Sequence, residues 1–402
     1  MDNTPDTRLQ HAAFELSRYR YQQALALAQE VLGELETGVQ SRASVARAHE
    51  LAGQAALGMG DTALASEHLS HAIEMLSELG ESARMMACQL GQAECSMRRS
   101  DLAKARHICK HVRTQAEHDG LEKLAAHAEL TLGSIKWMQG DAEAALLHLA
   151  SAASRLRELG EQALLYRAYS SEAAARVMLG EDLAAQKLLG EALYYFRTVN
   201  DATLIARCLN NLAGIAYAQH DWSRAREYLL QCVSIETEVQ DRGDLALAWY
   251  NLALVELREA NTKLARKYFN RAFQLAQECG DRDSEAAALI QLGVVCLLES
   301  DAEEALNYAS LSETRAEGSS SAMAATVQSY ISLILLANNQ VEAAAQRWST
   351  RTSFEPASTL ETLGELLRFL TSTDFSPRSS LTPEARAMAI AWQSELVIPD
   401  GI

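Results

Sequence analysis

The chain has 402 residues, 48% of them hydrophobic, and a formal net charge of −17. That surplus of acid excludes duplex DNA, RNA and anionic membrane surfaces as default partners, because those are bound through surplus Lys and Arg. No apolar run approaches the roughly 18 to 20 residues of a membrane span. Met1–Leu9 lacks the basic and apolar segments of a secretory signal. The seven cysteines include no CxxC pair and sit among apolar, helix-forming neighbours, so they read as reduced, semi-buried thiols. A cytoplasmic protein is expected.

In chain order, residues 1–8 read as a disordered N-terminus. The only prolines are Pro5, Pro356, Pro377, Pro383 and Pro399, so the stretch from Asp6 to Glu355 contains none. Without that helix breaker, and rich in Ala, Leu, Glu, Gln and Arg, the stretch reads as helix throughout. Alternating Val/Ile/Thr-rich segments that would argue for strands are lacking.

Ala65, Ala105, Ala145, Ala185, Ala225, Ala265, Ala305 and Ala345 form one column with a period of 40 residues. Four residues before each stands a turn position: Asp61, Asp101, Asp141, Glu181, Asp221, Asn261, Asp301 and Val341. All but Val341 suit a helix N-cap or an acidic first turn. Twelve residues before each alanine lies Gly53, Ala93, Gly133, Ala173, Ala213, Ala253 or Gly293, small enough for close helix approach, with Leu333 as the exception. Gly80, Gly120, Gly160, Asn200, Gln240 and Gly280 mark a second turn, where a left-handed residue can end a helix.

Each unit is therefore helix A, a tight turn, helix B and a second turn, with helices of about 16 to 18 residues. One hairpin cannot bury its own apolar face, and stacking eight or nine creates a continuous core. Tyr21–Leu25 matches the start of a helix B and places an N-terminal copy before the column. From Ser349 to Glu361 the composition turns to Ser, Thr and Pro. Leu360–Leu370 reads as one more helix, and Thr382-Pro383-Glu384 starts another that runs through Ala385–Glu395. The expected order is a solenoid over residues 9–348, a linker and capping helix over 349–372, and a tail with one helix over 373–402.

Segments such as Asn211-Leu212-Ala213-Gly214-Ile215-Ala216-Tyr217 followed by His220-Asp221-Trp222-Ser223-Arg224-Ala225 resemble tetratricopeptide repeats, as do Leu132-Gly133, Gly140-Asp141 and Ala145. The 40-residue period resembles the lengthened repeats of kinesin light chain, of spindle-orienting scaffold proteins and of bacterial sensor arrays. The resemblance covers roughly Arg8 to Gln346. It departs from the family in lacking the proline that ends helix B, and the second and fourth copies are irregular at Leu90-Gly91 and Glu172. It implies an all-α, right-handed superhelical solenoid whose concave face, built by helix A, binds extended peptides or partner helices.

Along helix A, Arg47, Ala87, His127, Arg167, Arg207 and Leu247 form a column near the expected groove lip. An arginine ladder there resembles that of the spindle-orienting scaffolds, where it meets acidic peptides through charge-assisted hydrogen bonds. The competing reading is solvated arginines paired with neighbouring Glu for about 0 to 1 kcal/mol each. Further along the same face, Glu50, Gln54, Ser134, Ser170 and Asn210 are polar, whereas Trp137, Tyr217, Tyr250 and Leu254 are apolar or aromatic. With Arg258 these residues make the expected partner-binding groove, its N-terminal half charged and its C-terminal half greasier. For Leu257 and Met178, which continue the inner face, packing on their own helix B competes with that role.

His107 and His111 share a face with Cys109 between them, but no third metal ligand is apparent. No Gly-x-Ser-x-Gly, GxxxxGK[ST] or HExxH motif occurs. The expectation is a non-enzymatic scaffold with no cofactor and no metal, binding a protein or peptide. A regulatory sensor that relays ligand binding to an output domain is the alternative. Partner identity and oligomeric state are not encoded in any motif.

Overall fold

The computed structural model describes residues 4–35, 41–239, 241–317, 321–349, parts of 363–370 and 381–396. Among these every regular element is an α-helix. Nine antiparallel hairpins follow one another: α1 (Pro5–Ser17) with α2 (Tyr21–Leu35), α3 (Arg42–Gly58) with α4 (Thr62–Glu78), α5 (Ser82–Arg98) with α6 (Leu102–His118), α7 (Glu122–Met138) with α8 (Ala142–Glu158), α9 (Gln162–Met178) with α10 (Asp182–Val199), α11 (Ala202–Ala218) with α12 (Trp222–Val239), α13 (Arg242–Arg258) with α14 (Thr262–Cys279), α15 (Arg282–Leu298) with α16 (Ala302–Ala316), and α17 (Ser321–Ala337) with α18 (Val341–Ser349). A last helix, α19, runs Pro383–Glu395. The chain forms two compact units, Met1–Asp244 and Leu245–Ile402.

The helix starts have a local cause. The carboxylates of Asp61, Asp101, Asp141, Asp201, Asp221, Asp281 and Asp301 each accept the backbone N–H three residues on, satisfying a donor the helix leaves unpaired. Glu181 and Asn261, expected in the same role, make no side-chain cap. Glu181 instead receives Arg176 and Asn261 donates to Glu256. Helix α1 starts at Pro5 with Thr4 as its cap, so residues 5–8 are helical rather than disordered.

The alanine column is the core of each hairpin: Ala65, Ala105, Ala145, Ala185, Ala225, Ala265 and Ala305 are fully buried. The small-residue column faces it. A Cβ built on Gly133 would lie 2.6 Å from Leu149, and one on Gly53 would lie 2.7 Å from Leu69.

The ninth hairpin corrects the expected register. Its left-handed turn residue is Asn339, 39 residues after Ser300 rather than 40. The buried alanine is accordingly Ala344, and Ala345 is only half-buried. The same shift puts buried Ser332 in the small column and Gln340 at the turn, which removes the two exceptions at Leu333 and Val341. At the N-terminus the frame extends to Ala12 and Ala24, both fully buried.

The second unit ends in an apolar seal. Leu363, Leu366, Leu367 and Leu370 join Ala385, Ala389 and Trp392 of α19 in one core with Tyr330, Leu333 and Ile334 of α17. Trp392 stacks on Trp348, with ring centroids 4.3 Å apart. Within the linker and capping helix expected over 349–372, residues 350–362 lie outside the described residues, as do most of the residues that flank α19.

Candidate functional site

Helices A of the first unit carry a charged network that meets across its interior. Glu94 and Arg98 stand on α5, His127 on α7, Arg167 on α9 and Arg207 on α11; Asp241 and Asp244 lie at the start of α13. Helix A places residues four and seven apart on one face, so a single column position recurs toward the interior from successive hairpins. Two of the three arginines of the predicted column meet in this way. Arg167 Nη2 lies 3.4 Å from Glu94 Oε2, and Arg207 Nη1 lies 4.0 Å from Glu94 Oε1. Arg207 Nε donates to Asp244 at 2.9 Å, and Arg98 Nη1 donates to Asp241 at 3.1 Å.

The side chains of Glu94, Arg167, Arg207 and Asp244 keep between 25% and 32% of their surface open to solvent, so they line a space rather than fill a core. Burial opposes ionisation of Glu94, but Arg167, Arg98 and Arg207 together overcome it and hold the carboxyl down at about 2. Burial, reinforced by Arg167, pushes His127 down to about 4, so its imidazole is neutral at neutral pH. Asp244 is held below its usual range by Arg207 and Arg98 against the cost of burial. Behind it, burial and then Asp244 push Asp241 up. On α12, burial followed by Asp244 and Asp241 raises Glu236 to about 9.

The other predicted groove residues fall into separate environments. Arg47 pairs with Glu50 at 2.9 Å, and Glu50 also receives Arg84 at 2.7 Å. Glu50 is buried within this cluster, and Gln54 is half-buried beside it on α3. Ser134 donates to Leu130 O, and its hydroxyl lies 3.2 Å from that of Ser171. Ser170 accepts from the Cys208 thiol, and Asn210 is half-buried on α11. Trp137 is 38% exposed at the end of α7. Tyr217 packs edge-on against Trp222.

Tyr250, Leu254 and Arg258 belong to α13 within the second unit. Tyr250 and Leu254 pack against the core of Ala253, Ala265 and Phe269, with the Tyr250 and Phe269 rings 5.4 Å apart. Arg258 is half-buried.

Sequence reasoning passed over Arg98, Glu236, Asp241 and Asp244. Asp241 shares the column of Asp201 and Asp281, where an N-cap explains the residue fully. Its second role, accepting Arg98, joins residues 143 apart in sequence. Glu94 stands 40 residues from both Gln54 and Ser134, in the column that the repeat assigns to the inner face. Among the described residues no group of three His, Cys, Asp or Glu side chains could hold a metal ion.

Among the described residues, nine helical hairpins with buried small-residue columns and acid-capped turns have the architecture of a tetratricopeptide-type solenoid. Residues 244–318 match the family model of the tetratricopeptide repeat. None of the curated proteins matches the chain. Solved structures share its fold at low identity. A Rap protein complexed with competence and sporulation factor is 15% identical with a TM-score of 0.61, over 90% of this chain and 99% of that one. NprR in complex with its cognate peptide NprX is 14% identical with a TM-score of 0.56, over 86% and 96%. The apo form of the quorum sensor NprR from B. thuringiensis is 14% identical with a TM-score of 0.52, over the same shares of the two chains, 86% and 96%.

Proposed function

We propose that the first unit binds a peptide, or an extended segment of a protein partner, in its interior, with an anionic group of the ligand received by Arg167. The observation that carries this reading is the state of Arg167. Among the described residues its one hydrogen bond is the 3.4 Å contact with Glu94, longer than a strong charge-assisted bond. A guanidinium has five N–H donors in a planar fork, so Arg167 retains donors able to grip a carboxylate. His127, neutral beside it, adds a donor or acceptor. Arg207, shared between Asp244 and Glu94, supplies field more than contact. Glu94 sets a counter-demand: a ligand that brings a cation as well as a carboxylate satisfies both sides of the pair.

Arg47, Gln54, Ser134, Ser170 and Asn210 extend the candidate surface along helix A. Trp137 and Tyr217 remain candidates for its apolar end, and Tyr250, Leu254 and Arg258 are candidates for a separate surface on helix A of the second unit. One of the similar structures was solved with its cognate peptide and another with competence and sporulation factor, which supports a peptide as ligand. The likeness to a quorum sensor favours a regulatory role, in which binding is relayed to another domain or partner, over a static scaffold.

An array of short peptides with free termini, acidic, basic and mixed, tests the reading. Arg167→Ala loses about tenfold or more in affinity for the bound class, the expectation for one charge-assisted contact worth about 1.5 to 3 kcal/mol. Arg167→Lys recovers part of it. Affinity falls as the screening length shortens from about 10 Å at 0.1 M salt to about 3 Å at 1 M. Unchanged binding by Arg167→Ala, or no peptide bound above background, overturns the proposal.

A further inference from the structure

Turns of the early hairpins in the first unit touch turns of its late hairpins. The backbone of Gly60, in the turn between α3 and α4, lies against the side chain of Asp241, such that a Cβ on Gly60 would stand 2.3 Å from Asp241 Oδ1. Arg98, at the end of α5, donates to the other oxygen of the same carboxylate at 3.1 Å, and Asp241 is fully buried. Tyr19, in the turn between α1 and α2, is pushed up to about 12 by burial and then by the nearby Asp201 and Tyr195 of the fifth hairpin and its following turn. Tyr21 is raised by the same burial and by Asp201, and its ring is seated on Gly58. The Arg98–Asp241 pair joins residues 143 apart in sequence, and the charge of Asp201 is felt by Tyr19 and Tyr21 from about 180 residues away.

Glycine at residue 60 leaves the room that this seam requires. Residue 60 belongs to a column of left-handed turn residues, and that conformation is occupied elsewhere by Ser100, His220, Ala260 and Ser300 with φ between 59° and 62°. A left-handed φ therefore does not by itself demand glycine in this protein. At Gly140 and Gly180 an added Cβ meets open space, whereas at Gly60 it meets Asp241. Clearance for the carboxylate accounts for glycine at this one turn.

The seam also differs in kind from the joints between neighbouring hairpins. Broad helix packing runs from each helix to its sequence neighbours, such as α5 with α6 and α7. The apolar clusters follow the same pattern: one unites α1, α2 and α3, another α3, α4 and α5, a third α5, α6 and α7. Across the seam the contacts are a charge pair and one glycine, with two phenols in the field of Asp201. A solenoid held by nearest-neighbour cores deforms by small rotations at each joint, so a polar joint can part while every hairpin stays folded.

We infer that Gly60, Arg98 and Asp241 form a clasp, an intramolecular contact that holds the first unit closed and releases as a unit to widen its interior. Arg98 and Glu94 lie one turn apart on α5, so the clasp and the interior charges share a helix.

Pulsed electron-spin distances between labels at Ala63→Cys and Glu238→Cys, both exposed positions flanking the seam, report its state. The background is Cys279→Ser, because Cys279 is the exposed native thiol and the other six are buried. The closed distance dominates in this background, with an open population of about a tenth or less. Gly60→Ala shifts the distribution so that longer distances predominate. Gly140→Ala, with the same left-handed backbone but no carboxylate above it, lowers the melting temperature by a similar amount and leaves the distances unchanged. Arg98→Gln, which adds no bulk, also lengthens the distances and covers the case in which Gly60→Ala fails to fold. Wild-type distances in both Gly60→Ala and Arg98→Gln overturn the clasp, as does equal lengthening in Gly140→Ala.

Discussion

Replacing Glu236 by Gln should stabilise the protein, and only above the ordinary range of a carboxylate. Glu236 is 1% exposed on α12, and neither carboxyl oxygen has a hydrogen-bond partner. Its neighbours Asp244 and Asp241 add to the cost of ionising it, while Arg207 and Arg98 offset part of that cost. The carboxyl is raised from 4.5 to about 9, so the folded state keeps a proton that the unfolded state releases.

The sign follows from proton counting. Below pH 4.5 both states are protonated and no stability is lost. From there up to about 9 the unfolded state binds fewer protons, and stability falls with rising pH. Each pH unit costs about 1.4 kcal/mol, so the loss at neutral pH is about 3 kcal/mol, an order-of-magnitude figure. Glu236→Gln removes the titration while keeping the shape. In urea denaturation, followed by circular dichroism from about pH 5 to about pH 8, the variant should gain less than about 1 kcal/mol at the acid end and about 4 to 5 kcal/mol at the other. Asp241 and Asp244 titrate in both proteins, so the difference between the curves isolates Glu236. Parallel curves, or a variant destabilised throughout, would refute the reasoning.

Other outcomes follow from the repeat geometry. Ala225 is fully buried in the alanine column, and Ala225→Phe should overpack its hairpin and cost about 1 to 3 kcal/mol, read as a fall in melting temperature. In the last hairpin the observed register makes Ala344→Phe equally damaging, whereas Ala345→Phe should cost less than about 0.5 kcal/mol; the reverse ranking would restore the uninterrupted 40-residue frame. Ala260 holds a left-handed φ of 59°, so Ala260→Gly should stabilise by about 0.5 to 1 kcal/mol, and an unchanged melt would contradict that. Asp101→Ala removes a side-chain cap from α6 and should cost about 1 kcal/mol in chemical denaturation; a loss below the error of the measurement would count against capping as the reason for aspartate in that column.

The sequence by itself determined whatever depends on short-range order. A hairpin is decided by residues within one period: an aspartate that caps, a left-handed turn, an alanine that admits a close helix. Those features recur visibly at Asp101, Gly120 and Ala145, and they were enough to place helices and columns over most of the chain. The frame failed where a single deleted residue carried no local mark. Val341 and Leu333 stood out as exceptions, but only the burial of Ala344 and Ser332 showed that the turn had moved to Asn339.

The partners of the charged column were decided by the tertiary structure. Arg167 meets Glu94 from 73 residues away, and Arg98 meets Asp241 from 143. Which hairpins come to face one another depends on the rotation accumulated over several joints, each set by packing details too small to read from residue types. For the same reason a periodic pattern could nominate Arg167, Arg207 and His127, yet could not reveal that Glu94 stands between the arginines, that Glu236 is buried without a partner, or that Gly60 makes room for a carboxylate from four hairpins further on.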